Sequence, residues 1–125
     1  DLDHFKSVND DFGHEQGDHV IALFARCAQT ELPANAVLAR LGGEEFCALL
    51  PDTNATVALA TAEALRTEFE RASTTLGHSR QHTVSIGVAT FNTEAATLSK
   101  LMQYADQALY RAKHDGRNRV AAAAL

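Results

Sequence analysis

The chain has 125 residues, room for one domain but hardly for two cores. Its composition, 46% hydrophobic and 22% charged, is that of a soluble globular protein and excludes a disordered tail, a collagen-like repeat or a disulfide scaffold. Eleven Lys and Arg against sixteen Asp and Glu leave a net charge of −5, the wrong sign for wrapping duplex nucleic acid, although a few focused cations suffice to hold a nucleotide.

Phe5 to Phe12 reads as a short helical segment ended by Gly13. From Gly17 to Leu32, the apolar residues Val20, Ile21, Phe24, Cys27 and Ala28 recur at helical spacing. Val37 to Leu50 predicts two strands about a tight turn at Gly42-Gly43, where glycine supplies the positive φ of two-residue hairpins. Ala58, Ala62, Leu65, Phe69 and Ala72 form one helical stripe. Thr83 to Thr90 alternates, with Val84, Ile86 and Val88 on one face, and predicts a strand. Leu98, Leu101, Met102, Ala105, Ala108, Leu109 and Ala112 trace the clearest helix, with Thr97 or Ser99 as its cap and Gly116 as its stop. On or beside this stripe, Met102, Tyr104 and Tyr110 read as core. Arg119 to Ala122 predicts a last short strand. This interspersed order predicts an α/β (α+β) domain, a mixed sheet with helices packed on it.

Cys27 and Cys47 sit in apolar surroundings and read as reduced thiols, as expected in the cytoplasm; spacing leaves a bridge between them open. No run approaches the ~18 apolar residues of a membrane span, and no signal-peptide pattern is visible. The parent protein remains free to be membrane-anchored through a region outside this chain.

Glu44 and Glu45 follow the glycine pair directly. Adjacent carboxylates repel, and alternation along a strand would point one toward a site and the other toward solvent or a structural partner. Two residues without Cβ also let a ligand approach the backbone closely. By itself the turn reads as a solvated hairpin tip. Asp1-Leu2-Asp3, followed by His4-Phe5-Lys6, reads as a strand end opening into a loop. An Asp there, near Glu44 in space, makes a hard oxygen site for Mg²⁺; by itself the run is a charged terminus. Lys113, Arg117 and Arg119 answer the dipole of the last helix, and beside a metal they become a phosphate clamp. His14 and His19 share no helix face, and His78 and His82 lie in a loop-like stretch, so the six histidines make a poor zinc site.

Taken together the motifs carry a resemblance. Asp-Leu-Asp-His-Phe-Lys-Ser-Val-Asn-Asp, Phe-Gly-His-Glu-Gln-Gly-Asp, Arg-Leu-Gly-Gly-Glu-Glu-Phe, Val-Ser-Ile-Gly-Val-Ala and Ala-Asp-Gln-Ala-Leu-Tyr-Arg-Ala-Lys-His-Asp-Gly-Arg-Asn resemble, in order and over the whole chain, the GGDEF family of diguanylate cyclases. The resemblance implies a nucleotidyl-cyclase-like fold with a βαββαβ core. It implies condensation of two GTP into cyclic di-GMP and two pyrophosphates, each 3′-hydroxyl attacking the other α-phosphate across a homodimer. A regulatory domain in the parent protein would control that pairing. Asp1 and Glu44 match carboxylate ligands of two Mg²⁺ or Mn²⁺ ions, with the Leu2 carbonyl as a backbone ligand. Glu45 supports the metal site or the attacking hydroxyl. Asn9 and Asp18 match the guanine readers. Lys6, with backbone N–H groups near His4 and Phe5, matches the phosphate loop, and Lys113 and Arg117 the cations on the terminal phosphates. Arg40 is assigned an orienting role and Asp3 a structural one.

Two departures are expected to matter. Many family members carry Arg-x-x-Asp five residues before the glycine pair; here Pro33-Ala34-Asn35-Ala36 stands there, so product inhibition through Pro33 and Ala36 is expected to be absent. Family domains also carry a helix and a first strand before the Asp-x-Asp motif. The chain is therefore expected to be an N-terminally incomplete domain over 1–125, its central strand, between the hairpin and the Thr83 strand, largely missing. A second reading keeps the fold and drops turnover: a module that binds GTP or cyclic di-GMP.

Overall fold

The computed structural model describes residues 1–93 and 95–124. Helix α1 (Phe5–Phe12) and helix α2 (His14–Glu31) are the arms of one corner at Gly13, whose φ of 91° favours glycine. The Gly13 N–H donates to the Asn9 carbonyl at 2.9 Å and its carbonyl accepts from Gly17 N–H at 3.0 Å, so the backbone crosses the corner with its bonds satisfied. Strands β1 (Val37–Gly42) and β2 (Glu45–Leu49) form an antiparallel hairpin. Helix α3 (Ala55–Ala72) starts at Asn54, whose side chain accepts from Val57 N–H, and runs into a 3₁₀ turn at Ser73–Leu76. Strand β3 (Ile86–Val88) pairs in parallel with β4 (Val120–Ala122), across helix α4 (Leu98–His114). Thr97, not Ser99, caps α4 by accepting from Lys100 N–H at 3.1 Å.

The mixed helix-and-strand architecture is the expected one, with three local corrections. The hairpin turns one residue later than the glycine pair suggests. Gly42 pairs with Glu45, so Gly43 and Glu44 are the central residues, and an irregularity between Arg40 and Gly42 absorbs the slip. Of the two glycines only Gly43 has positive φ, at 45°. The predicted Thr83–Thr90 strand contracts to Ile86–Val88, because a three-residue partner, β4, covers only that stretch. Residues 83–85 bond instead to the chain start: Asp3 N–H to Thr83 O at 2.9 Å, Ser85 N–H to Asp1 O at 3.0 Å, with Leu2 bridging Val84. The third correction concerns α4. Tyr104 is half-buried, but Tyr110 is 67% exposed and Met102 36% exposed. Tyr110 stacks on His114 one turn on, along the solvent side of the helix.

The core fills between α2, α3 and the strands. Phe24 meets Phe69 edge-on at 5.3 Å between centroids and Phe46 at 4.8 Å, with Val8, Val20, Leu65 and Val84 buried around them. The ladders form two small sheets, β1-β2 and β3-β4. Leu2 joins them, its N–H donating to Glu44 O at 3.2 Å on one side while it pairs with Val84 on the other. Beyond Leu2 the sheets are separated by an apolar cavity of about 820 Å³, lined among others by Phe46, Leu65, Ile86 and Met102. Cys27 is buried, Cys47 half-buried, and both are free, their thiols pushed up by burial. Among the described residues no helix is long and apolar enough to cross a membrane.

The loop after the 3₁₀ turn is tied to the α1–α2 corner by histidines. His78 Nδ1 lies 2.7 Å from His82 Nε2, and its Nε2 lies 2.9 Å from Gln16 Oε1 on α2. Its ring stacks on that of Phe12, and Arg80 lies over the Phe12 ring while pairing with Asp11. His82 is 4% exposed, and its N–H donates to Ser73 Oγ. Burial first, then the positive fields of His78 and Arg80, pulls His82 from 6.5 down to about 4. Between those values the unfolded chain binds the extra proton and the native state does not. This stabilisation is whole above about pH 6.5 and falls as pH drops toward about 4. Urea unfolding should give a stability about 1–2 kcal/mol lower at pH 5 than at pH 7. His82→Phe should lose most of that difference, and an unchanged difference would refute the assignment.

Candidate functional site

The site lies where the chain start crosses between the hairpin and α4. Leu2 is held by Glu44 O and Val84, which fixes Asp1 and Asp3 on either side of it. The Asp1 carboxylate forms an ion pair with the Lys113 ammonium from the last turn of α4. The chain start thus brings Asp1 and Lys113 together beside the turn that carries Glu44, whose backbone carbonyl holds Leu2.

The hairpin turn presents Glu44. Arg40 donates from Nε to the Gly43 carbonyl at 2.9 Å and braces the turn from the strand side. Glu44 is a half-buried turn residue and Glu45 the exposed first residue of β2, so strand alternation does not separate them as expected. A Cβ on Gly42 or Gly43 would meet no atom within 4 Å. The φ of Gly43 accounts for one glycine; no packing demand accounts for Gly42.

Helix α1 opens directly after Asp3. Its N-cap, His4, has a left-handed φ of 54° and makes no side-chain cap bond. The first N–H groups of α1, around Phe5 and Lys6, thus carry the positive end of the helix dipole without a capping oxygen. Lys6 is exposed and lies three residues before half-buried Asn9, on the same helical face. The Gly13 corner folds Asn9 against α2 beside Gly17, the residue before Asp18. A Cβ on Gly17 would lie 2.0 Å from Asn9 Oδ1, so this glycine makes room for the Asn9 amide. The sequence reading missed Gly17; its only signal was a glycine inside a helical pattern.

Asp3 is 6% exposed and accepts from Thr83 Oγ1 at 2.8 Å, Ser85 Oγ at 2.7 Å and Asn118 N–H at 3.0 Å. These bonds agree with the structural role expected for it. Arg117 is exposed in the turn after α4, with a left-handed φ of 64°. Pro33–Ala36 form the turn between α2 and β1, closed by Ala36 N–H on Pro33 O at 2.9 Å. His14 and His19 are exposed on α2.

Asp1 and Glu44 carboxylates with the Leu2 carbonyl would offer an all-oxygen donor set, of the kind that suits Mg²⁺ or Mn²⁺ rather than zinc. Among the described residues no three His, Cys, Asp or Glu side chains converge, so the third protein donor would be the Leu2 carbonyl. The Asp1–Lys113 pair beside the Glu44 turn, on a helix-flanked α+β scaffold, marks the candidate site. Comparison sharpens the class. The sequence profile described as "Diguanylate cyclase, GGDEF domain" matches residues 1–119, and the chain belongs to that family. It is 44% identical over 124 residues to the probable diguanylate cyclase DgcF of Escherichia coli K12, covering 95% of this chain and 39% of that protein. It is 40% identical over 123 residues to the response regulator PleD of Caulobacter vibrioides, covering 96% of this chain and 27% of that protein. The GGDEF domain of DgcB from Caulobacter crescentus, solved with c-di-GMP, superposes with a TM-score of 0.90 at 38% identity, covering 98% and 74% of the two chains. The active GGEEF domain of a diguanylate cyclase from Vibrio cholerae gives a TM-score of 0.90 at 32% identity, covering 100% and 80%. The chain spans well under half the length of these curated relatives.

Proposed function

We propose that the domain condenses two GTP into cyclic di-GMP within a homodimer, paired under control of a regulatory domain in the parent protein. The observation that carries this reading is the Asp1–Lys113 ion pair, set beside a hairpin turn whose Glu44 carbonyl holds Leu2 and whose glycines leave the space around them open. Asn9 and Asp18 accept from the N1–H and N2–H₂ donors of guanine; adenine lacks that donor pair and would leave the carboxylate unpaired. The uncapped start of α1, with Lys6, takes one part of the phosphate chain. Lys113 and Arg117 take the terminal phosphates, Lys113 exchanging its Asp1 partner for phosphate oxygen. Asp1, Glu44 and the Leu2 carbonyl would hold divalent metal, which when bound neutralises the triphosphate. Glu45, beside Glu44, orients the attacking 3′-hydroxyl. That oxygen gives its proton to solvent water and bonds to the α-phosphorus of the facing nucleotide, the bond from the α-phosphorus to the α–β bridging oxygen breaks, and pyrophosphate leaves with the electron pair.

The test is to incubate the full-length protein with GTP and Mg²⁺ and assay cyclic di-GMP and pyrophosphate. Formation of both in a ratio of one to two is expected. Tight nucleotide binding without either product would replace the enzyme by a GTP or cyclic di-GMP binding module. The rate should also be insensitive to added cyclic di-GMP at the Pro33–Ala36 turn, which has no charge to hold it. Tight product binding there would contradict this.

Gly17→Ala isolates the guanine site. Alanine is the better helix former, so thermal stability should hold within a few degrees once Asn9 swings away. Losing the Asn9 bond should weaken GTP binding about tenfold. Binding unchanged within twofold, measured by calorimetry, would remove Asn9 from the guanine site.

A further inference from the structure

The turn after α4 holds three successive residues with positive φ: Gly116 at 122°, Arg117 at 64° and Asn118 at 47°. Arginine has no intrinsic reason to be left-handed, and such a backbone persists only where its surroundings over-determine it. Here the surroundings act through Asn118. Its side-chain Oδ1 accepts from Arg66 Nη1 at 2.8 Å, and its Nδ2 donates to Glu70 Oε2 at 3.0 Å. Arg66 is in turn held by Glu63, through Nε at 2.9 Å and a second bond from Nη2. The Asn118 backbone N–H donates to Asp3 Oδ2, the buried carboxylate that also ties down Thr83 and Ser85. At the other end of the turn, Arg117 N–H donates to Ala112 O at 3.0 Å. One residue thus joins helix α3, the chain start beside Asp1 and the turn that carries Arg117, one turn beyond Lys113.

We propose that Asn118 is a positioning residue for the phosphate clamp: its bonds to Arg66 and Glu70 lock the left-handed turn that aims Arg117 and sets the end of α4 bearing Lys113. This rests on the reading of Lys113 and Arg117 as phosphate ligands. A merely structural asparagine would weaken every ligand alike, or only lower stability. A positioning residue weakens those ligands that reach the clamp.

The test titrates the full-length protein, with Mg²⁺, with a GTP analogue whose α–β bridging oxygen is replaced by methylene, and separately with GMP. Asn118→Gly keeps the left-handed backbone permitted and removes both side-chain bonds. It should weaken the triphosphate analogue about tenfold and leave GMP within twofold. Glu70→Gln, on α3 and outside the proposed clamp, keeps the backbone and weakens both the Asn118 bond and the pairing with Arg66; it should weaken the analogue alone, about threefold, and decides the matter if Asn118→Gly does not fold. Equal weakening of both ligands, or none, overturns the proposal. If the unaltered protein does not prefer the triphosphate analogue to GMP, the phosphate-clamp reading fails instead, and the role of Asn118 with it.

Discussion

Glu44→Gln should lower cyclic di-GMP formation by at least about a hundredfold while leaving the fold intact. The substitution keeps size and shape and removes only the charge. Glu44 is a central residue of the hairpin turn, half-buried, and its backbone carbonyl, not its side chain, receives the Leu2 N–H. The structural bond therefore survives, and stability should stay within about 0.5 kcal/mol. What is lost is one of the two carboxylates proposed to hold metal under the triphosphate. Glu45→Gln, at the exposed start of β2, should cost less. The measurement is product formed from GTP and Mg²⁺ in the full-length protein, with melting temperatures matched. Glu44→Gln retaining activity within tenfold would take Glu44 out of the reaction.

Gly87→Ala should be the most damaging single methyl in the domain. Gly87 lies at the centre of β3, against helix α4 with no side chain between them. A Cβ there would come 2.2 Å from the Ala105 carbonyl oxygen and 2.4 Å from the Leu109 nitrogen. Both are helix backbone, so neither swings aside as a side-chain tip would. The methyl must lift α4 off β3 or break the parallel β3-β4 pair. Overpacking usually costs 1–3 kcal/mol, and this geometry sits at or above that upper bound, about 3 kcal/mol. Thermal unfolding should fall by roughly 10 °C. Nucleotide binding should fall too, because α4 carries Lys113. Gly42→Ala, where the new methyl meets nothing within 4 Å, is the stability control. Equal melting of Gly87→Ala and the unaltered protein would mean that the β3–α4 contact yields more readily than described.

Much of the architecture was legible because it is written in local periods. The stripes of α2, α3 and α4 repeat at 3.6 residues, Thr97 is a short polar cap, and a glycine pair between apolar runs announces a hairpin. The errors fall where partners, not periods, decide. The Thr83–Thr90 alternation is real, but strand pairing ends where β4 ends. The turn slips by one residue because the Arg40–Gly42 irregularity changes the register. Tyr110 lies beside the apolar stripe and yet faces solvent, since the neighbouring elements do not reach that side of α4.

By itself, the sequence determined the order and type of elements, the family, and the residue types available for chemistry: paired acids after glycines, a basic helix end, an amide and a carboxylate at the first corner. Tertiary structure alone decided which of them meet. Asp1 and Lys113 are 112 positions apart, and the bonds of Asp1 to Ser85 and of Leu2 to Glu44 and Val84 bring them into an ion pair. The need for glycine at positions 17 and 87 is likewise set by Asn9 and by the backbone of α4, and the left-handed Arg117 turn by Asp3, Arg66 and Glu70. Helical and strand periods record each residue's surroundings a few positions away, whereas a site depends on distances that chain closure and packing impose across the whole fold.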